Sequence, residues 1–431
     1  MMGGTLLVAL ACTALAASAP QVGTPPRPPA PPADQESCRV CHGKEGLELD
    51  RSAHAHAGVG CVACHGGASG PLDKEDAHGD DLTALSDPLE AVERCGGCHS
   101  DPERMRRFGT RTDQLALYWT SRHGEVLRET GSHDVATCVS CHGPHEILPA
   151  TDPRSSVHKT NQLQTCATCH ANAELMGPYG LRTDVGELYR DSVHGRALID
   201  EGRMASPGCA DCHGSHGALP PRVDEVSDVC GACHSVARDF FEGNPHQSAA
   251  LTGDAQRCVA CHGNHGVREP SAEMFVGDEQ GHCGSCHQED GDPARQVART
   301  LYETLASLDS MIEGTQVALQ EAASKGLFIE REHGYLDDAR GLRARARTMT
   351  HALSPAALDD VQNRCQGMIA QTLESLDIKS RALRDRKIFT AIFFGVVLLL
   401  VGVLSIHRRA IAGRSEGTLE LHARRRPSDA R

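Results

Sequence analysis

Nine times along this 431-residue chain, two cysteines stand three positions apart with a histidine directly after the second. The pairs are Cys38 and Cys41, Cys61 and Cys64, Cys95 and Cys98, Cys138 and Cys141, Cys166 and Cys169, Cys209 and Cys212, Cys230 and Cys233, Cys258 and Cys261, and Cys283 and Cys286. The histidines that follow are His42, His65, His99, His142, His170, His213, His234, His262 and His287. In a helical turn, thiols at i and i+3 share one face and can form thioethers with the two vinyl groups of one porphyrin, while the histidine at i+4 reaches its iron. C-x-x-C-H is the attachment pattern of c-type haem, so the chain is expected to carry nine covalent haems c. These motifs use 18 of the 20 cysteines, leaving Cys12 and Cys365. Zinc ribbons and disulfide frameworks make no demand for histidine after every pair, and here it follows in all nine.

The sixth position on each iron separates electron transfer from catalysis. Twelve other histidines lie in the motif region: His54, His56, His78, His123, His133, His145, His158, His194, His216, His246, His265 and His282. Twelve exceed nine, so every iron can have two imidazoles. A single histidine taken alone is more often a solvated or hydrogen-bonding side chain. Context picks out His123, His158, His194 and His246, which follow Ser or Asn-Pro, and His145, His216 and His265, three residues past a motif histidine in C-H-G-x-H. A histidine that close to its own haem's proximal face is expected to serve a neighbouring iron. Met105, Met176, Met204 and Met274 share no such context and read as packing residues.

The elements that must position these groups are unequal in kind. From 36 to 288 the motifs crowd together among frequent Gly and Pro, which predicts a mainly α domain with much irregular structure, wrapped on nine haems. Residues 1–19, apolar from Thr5 to Ala17 and ending in Ala-Ser-Ala, suit a signal peptide; cleavage after Ala16 and a lipoprotein site at Cys12 compete with that choice. The stretch 20–35 is a Pro-rich linker. Over 289–387 the apolar residues fall at helical spacing: Leu301, Leu305, Leu308, Ile312 and Leu319, then Leu342, Ala346, Met349 and Leu353, then Leu358, Val361, Cys365, Met368, Thr372 and Leu376. They predict an amphipathic bundle or stalk in which Cys365 is a core thiol, with breaks at Gly326 and Gly334 and a helix start at Ser354-Pro355. Residues 388–406 hold nineteen positions without a charge, a transmembrane helix, and 407–431 form a basic tail. Basic residues flank both ends of the span, so the positive-inside rule chooses no orientation.

Composition agrees. Aromatics are 3% with one Trp, too few large apolar side chains for an ordinary core of this size, and porphyrins would supply the missing volume. A formal charge of -14 excludes nucleic acid as a natural partner and leaves redox proteins of the membrane or its outer side.

The nine motifs with their C-H-G-x-H variants resemble a multihaem cytochrome c of the class III superfamily over about Glu36 to Gln288. The resemblance implies haem attachment outside the cytoplasmic membrane, which sets the haem domain on the periplasmic side, and His407 onward inside. It also implies electron transfer in anaerobic respiration between the quinone pool or a membrane complex and extracytoplasmic acceptors. Quinol-oxidising relatives usually carry the span at the N-terminus, and this chain carries it at the C-terminus. The alternative is a reductase or oxidase of small nitrogen or sulfur oxyanions, of the nitrite, hydroxylamine or tetrathionate type, which needs an iron with an exchangeable position. No C-x-x-C-K variant occurs and the histidine surplus forces no vacancy, so the reading favours a carrier without catalytic residues. A subunit docked into a larger respiratory complex through the stalk is compatible with that reading, and oligomeric state is left open.

Overall fold

The computed structural model describes residues 36–221, 225–248, 257–279, 281–289 and 291–423. The leader 1–19, the linker 20–35, Cys12 and the last part of the tail, 424–431, lie outside the described residues. Helices, turns and loops make up the described chain, with no strand among them. It divides into two compact units, Met1–Arg190 with His194–Pro220, and Asp191–Val193 with Pro221–Arg431.

In the first unit short helices alternate with turns, and capping residues punctuate the chain. Asp87 accepts hydrogen bonds from the amides of Leu89 and Glu90 with Pro88 in the first turn, and Asp101 does the same for Glu103 and Arg104 behind Pro102. Apolar packing is sparse: one cluster of buried residues joins Val92, Tyr118, Val126, Leu127 and Val135. The scarcity of aromatics is thus visible as a small protein core around the motif turns.

The second unit joins the last three motifs to an up-down-up arrangement of helices α1 (Pro293–Ser324), α2 (Glu330–Met349) and α3 (Asp359–Ala423). Asp292 caps α1 with Pro293 at its first position. Leu301, Leu305 and Leu308 of α1 pack on Ala339, Leu342 and Ala346 of α2 and on Val361, Cys365 and Ile369 of α3. At the other end Leu319, Ala322, Ile329, Leu336 and Leu376 close a second cluster. Cys365 is fully buried, as the stripe requires. Gly326 follows the end of α1 with φ +80°, the break expected there. Gly334 breaks nothing and lies inside α2. An internal glycine costs a helix about 1 kcal/mol, and the packing of Leu336, Ala339 and Leu342 outweighs that. Ser354 and Pro355 open a short 3-10 turn, Pro355–Leu358, that leads into α3.

The helix α3 has 65 residues and runs through the apolar stretch without interruption. Among the described residues it is the one helix long and apolar enough to cross a membrane: its most apolar window has a mean hydropathy of 2.7 and none of it is buried. A core helix of a soluble protein would be covered. This one exposes Phe389, Ile392, Leu399 and Leu404 on several sides, as lipid contact requires.

Candidate haem sites

Most of the motifs form the turn their chemistry requires. Cys61–His65, Cys138–His142 and Cys209–His213 are single helical turns, and Pro88–His99, Gln162–His170 and Arg257–His262 end on their motifs. The other three are looser: one helix stops at Cys41 before His42, one at Gly231 within its motif, and one at Cys286 before His287. In four of the five C-H-G motifs the glycine has a positive φ, between +73° and +78° at Gly66, Gly143, Gly214 and Gly263. That residue ends the turn at once and, at Gly143, Gly214 and Gly263, throws the following histidine away from its own motif. None of the eighteen motif cysteines is in a disulfide. Among the described residues no three His, Cys, Asp or Glu side chains converge to hold a bare metal ion, as a zinc site would.

The histidines are arranged in pairs. His42 faces His78 with ring centres 6.4 Å apart, His54 faces His99 at 6.0 Å, and His65 faces His145 at 6.2 Å. Likewise His123 faces His170 at 6.2 Å, His142 faces His216 at 6.1 Å, His246 faces His287 at 6.1 Å, and His262 faces His351 at 6.1 Å. Every one of these seven pairs joins one motif histidine to one histidine outside the motifs. Imidazole nitrogens sit roughly 2.0–2.1 Å from a bound metal and a ring centre lies about 1 Å behind its nitrogen, so two imidazoles on opposite sides of one metal have centres about 6 Å apart. Ordinary aromatic contacts spread over about 4.5–7 Å, and neither the narrow range nor the one-to-one pairing would follow from them. The residues therefore fit a haem iron ligated on both faces.

Hydrogen bonds aim several of the histidine rings, within these pairs and at His213. The Nδ1 atoms of His65, His213 and His351 lie 2.9, 3.2 and 2.9 Å from the carbonyl oxygens of Thr83, Leu219 and Thr348. A carbonyl only accepts, so Nδ1 carries the proton and Nε2 keeps the lone pair that binds a metal. His287 Nδ1 meets the Asp292 carboxylate at 2.7 Å, so the cap of α1 also orients a motif histidine. Burial holds His54, His99, His123, His142, His170, His216, His246 and His262 below the ordinary imidazole value. At His54, His123, His142, His246 and His262 the facing ring adds to that effect. These imidazoles are neutral at neutral pH, the form that ligates.

The residue two places before each forward-reaching histidine now has a physical role. Ser52 Oγ accepts from the Ala55 amide at 3.1 Å and Ser121 Oγ from the Gly124 amide at 3.0 Å, capping the short turns that carry His54 and His123. Asn244 caps the turn of His246 in the same way. Ser52, Ser121, Ser192 and Asn244 are all buried. A Cβ at Gly124 would lie 2.1 Å from the Tyr118 carbonyl oxygen, and one at Gly195 would lie 1.9 Å from that of Tyr189. The tyrosine hydroxyls in turn donate to the carbonyls of Ala136 and Pro207, each two residues before a motif. Together these contacts reveal a longer repeat than the motifs alone suggest. Leu117, Tyr118, Ser121, His123, Gly124 and the motif at Cys138 recur 71 positions later as Leu188, Tyr189, Ser192, His194, Gly195 and the motif at Cys209. Aligning the segments between motifs would have found it.

Four other expected ligands, His56, His133, His158 and His282, lie outside these seven pairs. His56 and His133 are exposed. His158 bonds to Thr160 Oγ1 at 2.8 Å, and His282 keeps a buried Nδ1 without a hydrogen-bond partner. His194 and His265 occupy the repeated positions, and each is engaged with other groups. His351, outside the motif region, is the addition. Consecutive motifs are also neighbours. The sulfurs of Cys95 and Cys138 lie close together, as do those of Cys166 and Cys209 and those of Cys38 and Cys61. Cys64 lies near Cys95 and Cys98, Cys141 near Cys166 and Cys169, and, in the second unit, Cys261 near Cys283 and Cys286.

Short helices, C-x-x-C-H turns and paired imidazoles point to the class of multihaem cytochromes c. The chain is similar to the high-molecular-weight cytochrome c of Nitratidesulfovibrio vulgaris, 23% identical over 299 residues that cover 62% of this chain and 47% of that protein. It thus spans about half the length of this relative. No family model and no solved structure matches the chain.

Proposed function

We propose that this protein is a membrane-anchored cytochrome carrying nine haems c, which relays electrons in anaerobic respiration between the quinone pool or a membrane complex and periplasmic acceptors. The observation that carries the reading is the set of seven histidine pairs, each one motif ring against one outside ring at 6.0–6.4 Å. Haem, when bound, supplies the reversible one-electron chemistry of its iron. The chain's own part is to hold it: cysteine pairs fix the porphyrin edge, motif histidines bind one face, and the paired histidines take the other. Two imidazoles leave no open position, which supports a carrier over an enzyme for these sites. The neighbouring thiols of consecutive motifs support an order of haems in space that follows the order of motifs in sequence within each unit. Similarity to a cytochrome c agrees with electron transfer.

In this proposal the haem domain lies outside the cytoplasmic membrane and the tail from His407 lies inside. The 29 residues of α3 before Ile388 measure about 43 Å at ~1.5 Å per residue, and Ala272 and Phe275, between the last two motifs, pack at the far end of that length. This spacing favours a protein partner over direct contact with a quinone in the bilayer.

Purified protein should contain nine covalent haems per chain by mass and by haem absorbance, all low-spin in the oxidised state. A count of four or five overturns the proposal. A high-spin iron that binds nitrite or hydroxylamine would instead establish the enzyme reading.

A further inference from the structure

We infer that the membrane stalk supplies an axial ligand: His351, in the turn between α2 and α3, is the second imidazole for the iron bound by His262. The inference rests on the haem reading above and names a residue that no motif points to. His262 and His351 have ring centres 6.1 Å apart and are tilted by 30°, within the range of the six other pairs. His351 sits in the short turn Thr350–Ala352, half-buried, with its Nδ1 proton held on the Thr348 carbonyl, so that Nε2 is the free donor atom.

The repeat explains why a residue from the stalk is needed. His65 is met by His145, and His142 by His216, each from the C-H-G-x-H of a later copy. The motif of His262 is the last C-H-G-x-H copy, so no later one exists to serve it. The stalk fills that role.

Asn244 shows how His351 is kept in place. At the equivalent position the other copies have Ser52, Ser121 and Ser192. A serine can cap the turn behind it, and Asn244 does so through Oδ1, accepting from the amides of His246 and Gln247 at 2.8 and 3.1 Å. Its amide nitrogen adds a donor, which bonds the carbonyl oxygen of His351 at 2.8 Å across 107 positions of sequence. One buried side chain thus positions two paired histidines, His246 toward His287 and His351 toward His262. Ala272 and Phe275 pack against the same end of the bundle. Ligation by His351 would make the haem at Cys258 and Cys261 a clamp between the last motifs and the helix that enters the membrane.

The test uses the full-length protein in detergent, with haem count, electron paramagnetic resonance and carbon monoxide binding as readouts. His351→Ala should keep nine haems, turn one of them high-spin, and bind one carbon monoxide per chain when reduced; added imidazole should restore the low-spin signal. His351→Met, which retains a ligand should the alanine variant fail to assemble, should raise the potential of one haem and leave the others unchanged. Asn244→Ser should keep the cap on His246 and give a partial high-spin signal at the same haem. Exposed His333 in α2 is the control, and His333→Ala should change nothing. Nine low-spin haems in His351→Ala, no shifted potential in His351→Met, or the same change in His333→Ala overturns the inference. A wild-type protein with fewer than nine haems overturns the haem reading itself, a separate outcome.

Discussion

The smallest unit with a purpose here is four residues, Ser121-Arg122-His123-Gly124. Ser121 is fully buried, accepting from the Gly124 amide and donating to the Tyr118 carbonyl at 2.6 Å. Gly124 lets that carbonyl approach. Ser121→Ala removes the cap and leaves the Gly124 amide without its partner, while the Tyr118 carbonyl keeps the backbone amide of residue 121, so it should cost about 1–2 kcal/mol. Gly124→Ala places a methyl group against backbone and should cost about 1–3 kcal/mol or more. Both variants should lower the melting temperature and release His123 from His170, seen as a high-spin fraction at one haem. A melting curve and spectrum identical to wild type would show that the tetrapeptide does not position the ligand. The histidine was legible in sequence because it recurs in context; its partner was not, because 47 positions separate His123 from His170 and only folding brings them together.

At the scale of elements, α2 and α3 are tied by one buried acid. Glu332 is 0% exposed, accepts from Ser375 Oγ at 2.5 Å and pairs with Lys379 Nζ at 2.8 Å, which also donates to the Phe328 carbonyl. Burial pushes its carboxyl up, but the bonds from Lys379 and Ser375 outweigh that and hold it below the ordinary carboxylate value. Such a group adds stability above its unfolded value, about pH 4.3, and loses it as pH falls through the lower folded one. Lys379→Met should destabilise the bundle by about 3 kcal/mol, the low end for a broken buried pair because Lys379 is 32% exposed. The deficit should be present at pH 7 and shrink below about pH 4 in melts followed by helical circular dichroism. A deficit that stays constant down to pH 3 would exclude this ion pair as its source. The apolar stripe of these helices was readable, since a 3.6-residue period is a local property. The passage of α2 through Gly334 was not, because tertiary packing decides whether a glycine breaks a helix.

For the whole molecule, the decisive length is that of α3, 65 residues or about 98 Å. Its first part completes the bundle and the stretch 388–406 is bare apolar surface. A chain ending at Arg384 keeps every buried residue of the bundle, so it should appear in the soluble fraction with an unchanged haem spectrum. Retention in the membrane would show that something other than 388–406 anchors the protein.

What the sequence determined by itself is the chemistry: the C-x-x-C-H motifs, the surplus of histidines, the helical stripe and the uncharged apolar stretch all follow from residue type and short spacing. The tertiary structure decided the pairing. His54 and His123 reach forward to later motifs, His145 and His216 reach back to earlier ones, and His351 comes from a stalk whose own pattern speaks only of packing. Partner choice depends on which turns meet in space, and that is set by buried caps, glycine contacts and the ends of helices.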